Sequence, residues 1–300
     1  MPDRQHRIDN RIDKGQARRA FSRAAERYDQ VAVLQREIGQ RMLERLELVR
    51  LQPQVILDIG AGTGVATAAL AARYRKSRVL ALDFAFPMLL QTRKRGGWLR
   101  KPRCICGDLE QLPVAEQSVD LIYSNAAIQW SNDLDTTFAE FRRVLRPGGL
   151  LMFTTFGPDT LKELRAAWAA VDSGAHVSTF MDMHDVGDAL LSAGLADPVM
   201  DVDRMTLTYE RVSGLMKDLK ILGAHNVNHD RPRGLTGKGR LQAMQSAYEA
   251  FRRDQDGLLP ASYEVVYGHA WAPEAGHRSN APSIALDSIG RDLNRAGRSG

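Results

Sequence analysis

The sequence predicts an α/β protein built on a doubly wound, mostly parallel sheet. Three observations carry that expectation. Short apolar runs alternate with helical periodicities along residues 55–156. The first run, Val55-Ile-Leu57, ends in Asp58 and breaks into glycines at alternate positions, Gly60, Gly62 and Gly64, before an alanine-rich helix. Three later runs end on Asp83, Asp108 and Asn125, so four successive strands bring a carboxylate or an amide to one sheet edge. Open α/β sheets bind ligands at that edge, and glycines let the backbone approach without a Cβ in the way.

The elements follow in order. Lys14 to Leu48 reads as two helices, with Ala17, Ala20, Phe21, Ala24, Ala25 and Tyr28 at helical spacing, then Val31, Leu34, Ile38, Met42 and Leu46. Phe21 and Tyr28 are seven apart, two turns along one face. Strands are expected over Val55–Leu57, Arg78–Asp83, Arg103–Gly107, Val119–Asn125, Leu150–Phe156, Pro198–Tyr209 and Tyr263–Trp271. Helices are expected over Val65–Tyr74, from Pro87, over Phe138–Leu145 with Arg146-Pro-Gly-Gly149 as its stop, and over Val212–Gly223 and Arg240–Arg253. Residues 1–13 read as a flexible start, 14–50 as lid helices and 51–210 as the α/β core. A helical cap (211–258) interrupts it before the last core strand (259–271), and 272–300 read as a mostly disordered tail.

Composition bounds the function. With 44% hydrophobic and 26% charged residues, this is an ordinary globular chain. No apolar run approaches a bilayer span, and the charged start lacks the apolar core of a secretory signal. The two cysteines, Cys104 and Cys106, share a strand face, are poorly placed to pair, and fit two small buried side chains in a reduced cytoplasm. Residues 1–50 carry a net +4 and 211–253 a net +6 against +5 for the whole chain, so two basic segments flank a slightly acidic core. That distribution suits docking of an acidic partner. His225 and His229 have metal-like spacing but no evident third ligand, and no metal is expected.

The glycine spacing is G-x-G-x-G with an acid two residues ahead, not the dinucleotide G-x-G-x-x-G. A carboxylate at Asp58 repels a pyrophosphate and suits an ammonium group. Asp83 can accept from both ribose hydroxyls of an adenosine, its side chain directed into an open site, and Asp108 can accept from an adenine amine. Met88 at a helix start can pack on the purine.

Leu57-Asp-Ile-Gly-Ala-Gly-Thr-Gly64, Ala81-Leu-Asp83 with Pro87-Met-Leu89, Gly107-Asp-Leu-Glu-Gln-Leu-Pro113 and Arg143-Val-Leu-Arg-Pro-Gly-Gly149 resemble class I S-adenosylmethionine (AdoMet) methyltransferases. Narrower stretches are similar to the malonyl-acyl-carrier-protein O-methyltransferases of biotin synthesis. These are Ala20-Phe-Ser-Arg-Ala-Ala-Glu-Arg-Tyr-Asp29 with Leu34-Gln-Arg36, Ser124-Asn-Ala-Ala-Ile-Gln-Trp130, Phe153-Thr-Thr-Phe156, Leu219-Lys-Ile-Leu-Gly-Ala224 and Leu259-Pro-Ala-Ser-Tyr263. The resemblance runs from about Lys14 to Trp271. It implies a class I, Rossmann-like sheet of seven strands with an antiparallel last strand and a helical lid.

It also implies AdoMet held by Asp58, Gly60, Gly62, Gly64, Asp83, Met88, Asp108, Leu109 and Asn125. The substrate would meet Phe21, Tyr28, Gln129, Trp130 and Lys220, and the partner would be a monomeric cytoplasmic enzyme's malonyl-phosphopantetheine carrier protein, or malonyl-CoA. An ionised carboxylate nucleophile needs no general base, so Tyr28 and Gln129 as neutral donors, with Lys220 as one cation, are expected to position it. Arg231, Arg233 and Arg240 are expected to dock the carrier. No nucleic acid or membrane partner is expected: amino-methylating nucleic-acid enzymes place Asn/Asp-Pro-Pro-aromatic after the fourth strand, where this chain has Asn125-Ala-Ala-Ile. Rival readings are another small acid or a quinone as acceptor, or a non-catalytic AdoMet- or carrier-binding module.

Overall fold

The computed structural model describes residues 11–95, 101–224, 226 and 236–274. Its centre is a seven-stranded sheet in the order β3-β2-β1-β4-β5-β7-β6. The strands are β1 (Val55–Ile59), β2 (Arg78–Asp83), β3 (Arg103–Cys106), β4 (Val119–Ser124), β5 (Leu145–Phe156), β6 (Ala196–Tyr209) and β7 (Leu259–Trp271). The first five pair in parallel, and β7 runs antiparallel between β5 and β6. All five residues of β1 are buried, as a parallel strand covered by helices on both faces requires. The chain reverses its winding between β1 and β4, which opens a crevice at their carboxyl ends.

Ten α-helices are present among the described residues. Three precede the sheet: α1 (Lys14–Ala24), the single turn α2 (Tyr28–Val31) and α3 (Val33–Glu47). Along the core run α4 (Val65–Arg73), α5 (Phe86–Arg95), α6 (Leu134–Val144), α7 (Lys162–Ala169) and α8 (Met183–Ser192), and between β6 and β7 lie α9 (Val212–Leu222) and α10 (Lys238–Tyr248). The sequence reading contains neither α7 nor α8. It also carries the first helix through Tyr28, whereas the chain turns at Arg27, whose N–H reaches Ala24 O at 2.9 Å. A side-chain tether accounts for the turn: the Asp29 carboxylate accepts from Thr63 Oγ1 at 2.6 Å and from the Arg95 guanidinium, which draws α2 onto the glycine loop.

Arg146-Pro-Gly-Gly149 is also not a simple helix stop. β5 begins at Leu145, and the pairing with β4 jumps from Val119↔Leu145 to Leu121↔Leu150, so these residues form a bulge inside the strand. Cys106 is exposed rather than buried, because β3 is the sheet edge, and both thiols are free. Residues 1–10 and 275–300, expected as a flexible start and a disordered tail, lie outside the described residues.

Helix α3 packs on the sheet through Leu34, Ile38, Met42 and Leu46, each 4% exposed or less. Full burial of such a side chain contributes about 1.5–3 kcal/mol. Two hydrogen bonds then set its height. Tyr123 Oη donates to Gly39 O at 2.9 Å, and Asn125 Nδ2 donates to Gln35 O at 2.9 Å. Gly39 permits this approach, since a Cβ there would stand 2.9 Å from Asn125 Nδ2. At the far end Arg41 pairs with Asp203 and Arg45 with Asp201, fastening α3 to edge strand β6. Gly39→Ala is therefore expected to destabilise the protein by about 1–2 kcal/mol, overpacking outweighing the better helix propensity. A thermal melt checks this, and an unchanged or raised Tm would contradict it.

Candidate functional site

The strand ends meet as the sequence requires. Asp58 closes β1 at 2% exposure, and its Oδ2 accepts from Thr67 Oγ1 at 2.5 Å. Burial pushes its pKa up to about 7, against the hydrogen bond from Thr67. Asp83 at the end of β2 is 5% exposed, not open to solvent as expected. Its two oxygens accept from Gly62 N at 2.9 Å and Ala85 N at 2.8 Å. Burial raises its pKa to about 6 against those two backbone bonds. Asp83 thus pins the glycine loop to β2 while keeping lone pairs for a ligand.

Gly60 and Gly62 take φ of 70° and 56°. A Cβ at Gly62 would meet no protein atom nearer than 3.9 Å, so the space before its backbone is ligand space. Gly64 serves packing instead. It lines none of the cavities described below, and a Cβ there would lie 2.7 Å from Thr92 Cγ2.

Two small cavities flank the glycines. One, about 70 Å³, is bounded by Asp83, Met88, Asp108 and Leu109. The other, about 130 Å³, is bounded by Asp58, Thr63 and Gln35. Gly60, Gly62, Tyr28 and Asn125 border both. A third cavity of about 710 Å³ opens between the N-terminal helices, β5 and the cap. Phe21, Tyr28, Gln129 and Trp130 line it, with Trp130 edge-on to Phe21 at 5.0 Å between ring centres. Among the described residues Tyr28 alone borders all three. Burial, then the charges of Asp83 and Asp29, raise its pKa, so its hydroxyl stays protonated and able to donate.

Some expected residues stand elsewhere. Lys220 is exposed and does not line the large cavity, because α9 turns Asp218 and Leu219 inward. Among the described residues the one basic side chain lining that cavity is Arg11. Asn125 borders the small cavities, yet its amide is committed to Gln35 O and to Thr154 Oγ1, which donates to it at 2.8 Å. Gln129 spends Nε2 on Ala126 O at 2.7 Å, which limits its expected part as a donor. Arg240 is exposed on α10, 3.6 Å from Asp172. Arg231, Arg233, His225 and His229 lie outside the described residues.

The sequence reading missed Lys14 and Asp29. Lys14 Nζ lies 2.7 Å from both Asp108 oxygens and 2.6 Å from Glu110 Oε2, closing α1 over the small cavity. Asn132 holds the chain two residues before that start, its Oδ1 accepting from Ile12 N at 2.7 Å. A lysine and an aspartate amid a charged helical stretch carry no signal that separates them from solvated neighbours.

Residues 57–153 match the Methyltransferase domain family model. A malonyl-[acyl-carrier protein] O-methyltransferase of Methylovorus sp. (strain MP688) is 56% identical over 271 residues, 88% of this chain and 90% of that one. One of Halorhodospira halophila is 54% identical, covering 87% and 88%. The chain belongs to the malonyl-[acyl-carrier protein] O-methyltransferase family. It is accordingly an O-methyltransferase with the class I fold. The YcgJ protein of Bacillus subtilis superposes with a TM-score of 0.56 over 80% of this chain and 100% of that one. At 14% identity that likeness shows the fold alone.

The two buried acids set a pH dependence. Their folded pKa values lie above the unfolded ones, near 3.8, so the unliganded fold gains stability from their protonation below pH 4 and loses it as pH rises through about 6 and 7. A cationic ligand needs them ionised. Affinity for AdoMet, measured by calorimetry, should therefore rise between pH 5 and 8 with proton release on binding, and a flat profile would contradict the assignment.

Proposed function

We propose that this chain transfers a methyl group from AdoMet to the free carboxylate of a malonyl thioester carried by an acyl carrier protein, giving the methyl ester needed early in biotin synthesis. The observation that carries the reading is Tyr28, which borders the two glycine-flanked cavities and the large one together. The glycine cradle, the carboxylates Asp58, Asp83 and Asp108, and Met88 and Leu109 form a set that fits an adenosine and an amino-acid ammonium. When bound there, AdoMet supplies a methyl group on a sulfonium.

The chain's own residues position, shield and neutralise. A malonyl carboxylate with a pKa of about 4 is ionised near neutrality, so no residue has to remove a proton. Tyr28 donates to it without a full charge that would quench its nucleophilicity. Arg11 supplies positive charge to the wall of the large cavity, offsetting the cost of bringing in an anion. Phe21 and Trp130 exclude water where the cavities join. Such positioning can lower a barrier by roughly 7–11 kcal/mol. Free thiols and the carrier substrate agree with a cytoplasmic setting.

The basic cap and lid would receive the acidic carrier protein, through Arg240, exposed on α10, and through Arg231 and Arg233, nine and seven residues before it. Exposed charges act mainly on association rate and are screened by salt. Arg240→Glu should raise KM for carrier-bound substrate while nearly sparing a small malonyl thioester. Equal loss on both, or no salt dependence with the carrier, would contradict the docking role. The direct test of the function is incubation with labelled AdoMet and malonyl-carrier protein, followed by mass measurement. The expected product gains one methyl ester, and an unmodified acyl group would overturn the reading.

A further inference from the structure

Tyr28 opens α2, a single turn of four residues. A turn that short does not hold itself, since fixing its dihedrals costs more than its own bonds return. No side chain caps it, and none of its four residues is fully buried. The Tyr28 ring packs with Ala24, Ala25 and Met88. Apolar contact has no direction, so it leaves open how far the hydroxyl stands over the glycines.

The direction comes from the next residue. Asp29 Oδ1 accepts from Thr63 Oγ1 at 2.6 Å, and Oδ2 pairs with the Arg95 guanidinium. Arg95 Nε donates in turn to Thr63 O at 3.0 Å, which closes a triangle between α2, the glycine loop and the end of α5. Thr63 lies between Gly62 and Gly64 and is 4% exposed. The loop is itself fixed on two sides: Gly62 N–H donates to Asp83, and Gly62 O accepts from Thr92 Oγ1 at 2.8 Å. Asp29 borders the small cavity beside Asp58 and not the large one, whereas Tyr28 borders both. Adjacent Cα atoms are about 3.8 Å apart, so a shift of Asp29 passes to Tyr28. We propose that Asp29 is a positioning residue for Tyr28, transmitting the place of the glycine loop to the hydroxyl that meets the substrate. This rests on the reading that Tyr28 donates to the malonyl carboxylate.

The test is a double-mutant cycle in kcat on malonyl-carrier protein at saturating AdoMet, with Tm and calorimetric AdoMet affinity as further readouts. Asp29→Ala should lower kcat about tenfold, since a misplacement of about 1 Å can cost a hundredfold. Its AdoMet affinity should stay within about threefold of wild type. In Tyr28→Phe, which has lost the hydroxyl, the same substitution should cost less than about twofold. Residues acting independently multiply their losses, so a tenfold loss persisting in Tyr28→Phe overturns the proposal. Unchanged kcat in Asp29→Ala, or a loss confined to AdoMet affinity, overturns it as well. If Asp29→Ala does not fold, Arg95→Gln decides, because Arg95 is exposed and forms one corner of the triangle. Its smaller loss, about threefold, should likewise vanish in Tyr28→Phe, and a loss that persists there overturns the proposal. Full turnover in Tyr28→Phe, or wild type inactive on malonyl-carrier protein, overturns the underlying reading, and this inference with it.

Discussion

The site depends on how closely helix α3 approaches the end of β4. Tyr123 and Asn125, two residues apart on that strand and its exit, each donate to a carbonyl of α3, those of Gly39 and Gln35. Those acceptors are four residues apart, one helical turn, so the strand end and the helix axis are held at two points. A buried side-chain chain continues inward, Thr154 donating to Asn125 and accepting from Ala126 N. The N-terminal helices are thereby referenced to the sheet rather than to solvent. Phe21 and Tyr28, which precede α3, inherit that reference and stand over the crevice between β1 and β4.

A second constraint is the burial of charge. Asp58 and Asp83 close adjacent strands at 2% and 5% exposure, which costs free energy whenever both are ionised. A cationic ligand removes that cost, so the same burial that destabilises the unliganded site favours a cation there. The helices α1 and α2 are tied down by further polar contacts: Lys14 on Asp108 and Glu110, and Asp29 on Thr63 and Arg95. These pairs are part-exposed and individually weak, about 0–1 kcal/mol each.

Much of this was legible in the sequence, for physical reasons. All seven strands are, the parallel ones as short apolar runs, the first four of which lead into Asp58, Asp83, Asp108 and Asn125, and the antiparallel β6 and β7 as β-rich alternating stretches. β5, β6 and β7 nevertheless begin two to five residues earlier than expected. Phe21 and Tyr28 stand out as large rings in an alanine-rich stretch, although the turn at Arg27 puts them on separate helices, and Trp130 is legible only through the family resemblance. Helices α7 and α8 are absent from the sequence reading although Leu164, Ala167 and Trp168, and Val186, Ala189 and Leu190, recur at helical spacing on their buried faces. Lys220 misled because one residue on a helix turns a side chain by about 100°, and nothing in the sequence says which of Asp218, Leu219 and Lys220 faces the cavity. The break before Tyr28 depends on Thr63 and Arg95, distant in sequence, so local propensity could not show it.

In the proposed reaction the methyl donor and the carboxylate meet at Tyr28, the one residue among those described that borders all three cavities. Tyr28→Phe keeps the ring and removes the donor. Turnover on malonyl-carrier protein should fall by roughly tenfold to a hundredfold, while AdoMet affinity stays within about a factor of two. Unchanged turnover, or a loss confined to cofactor binding, would contradict the account.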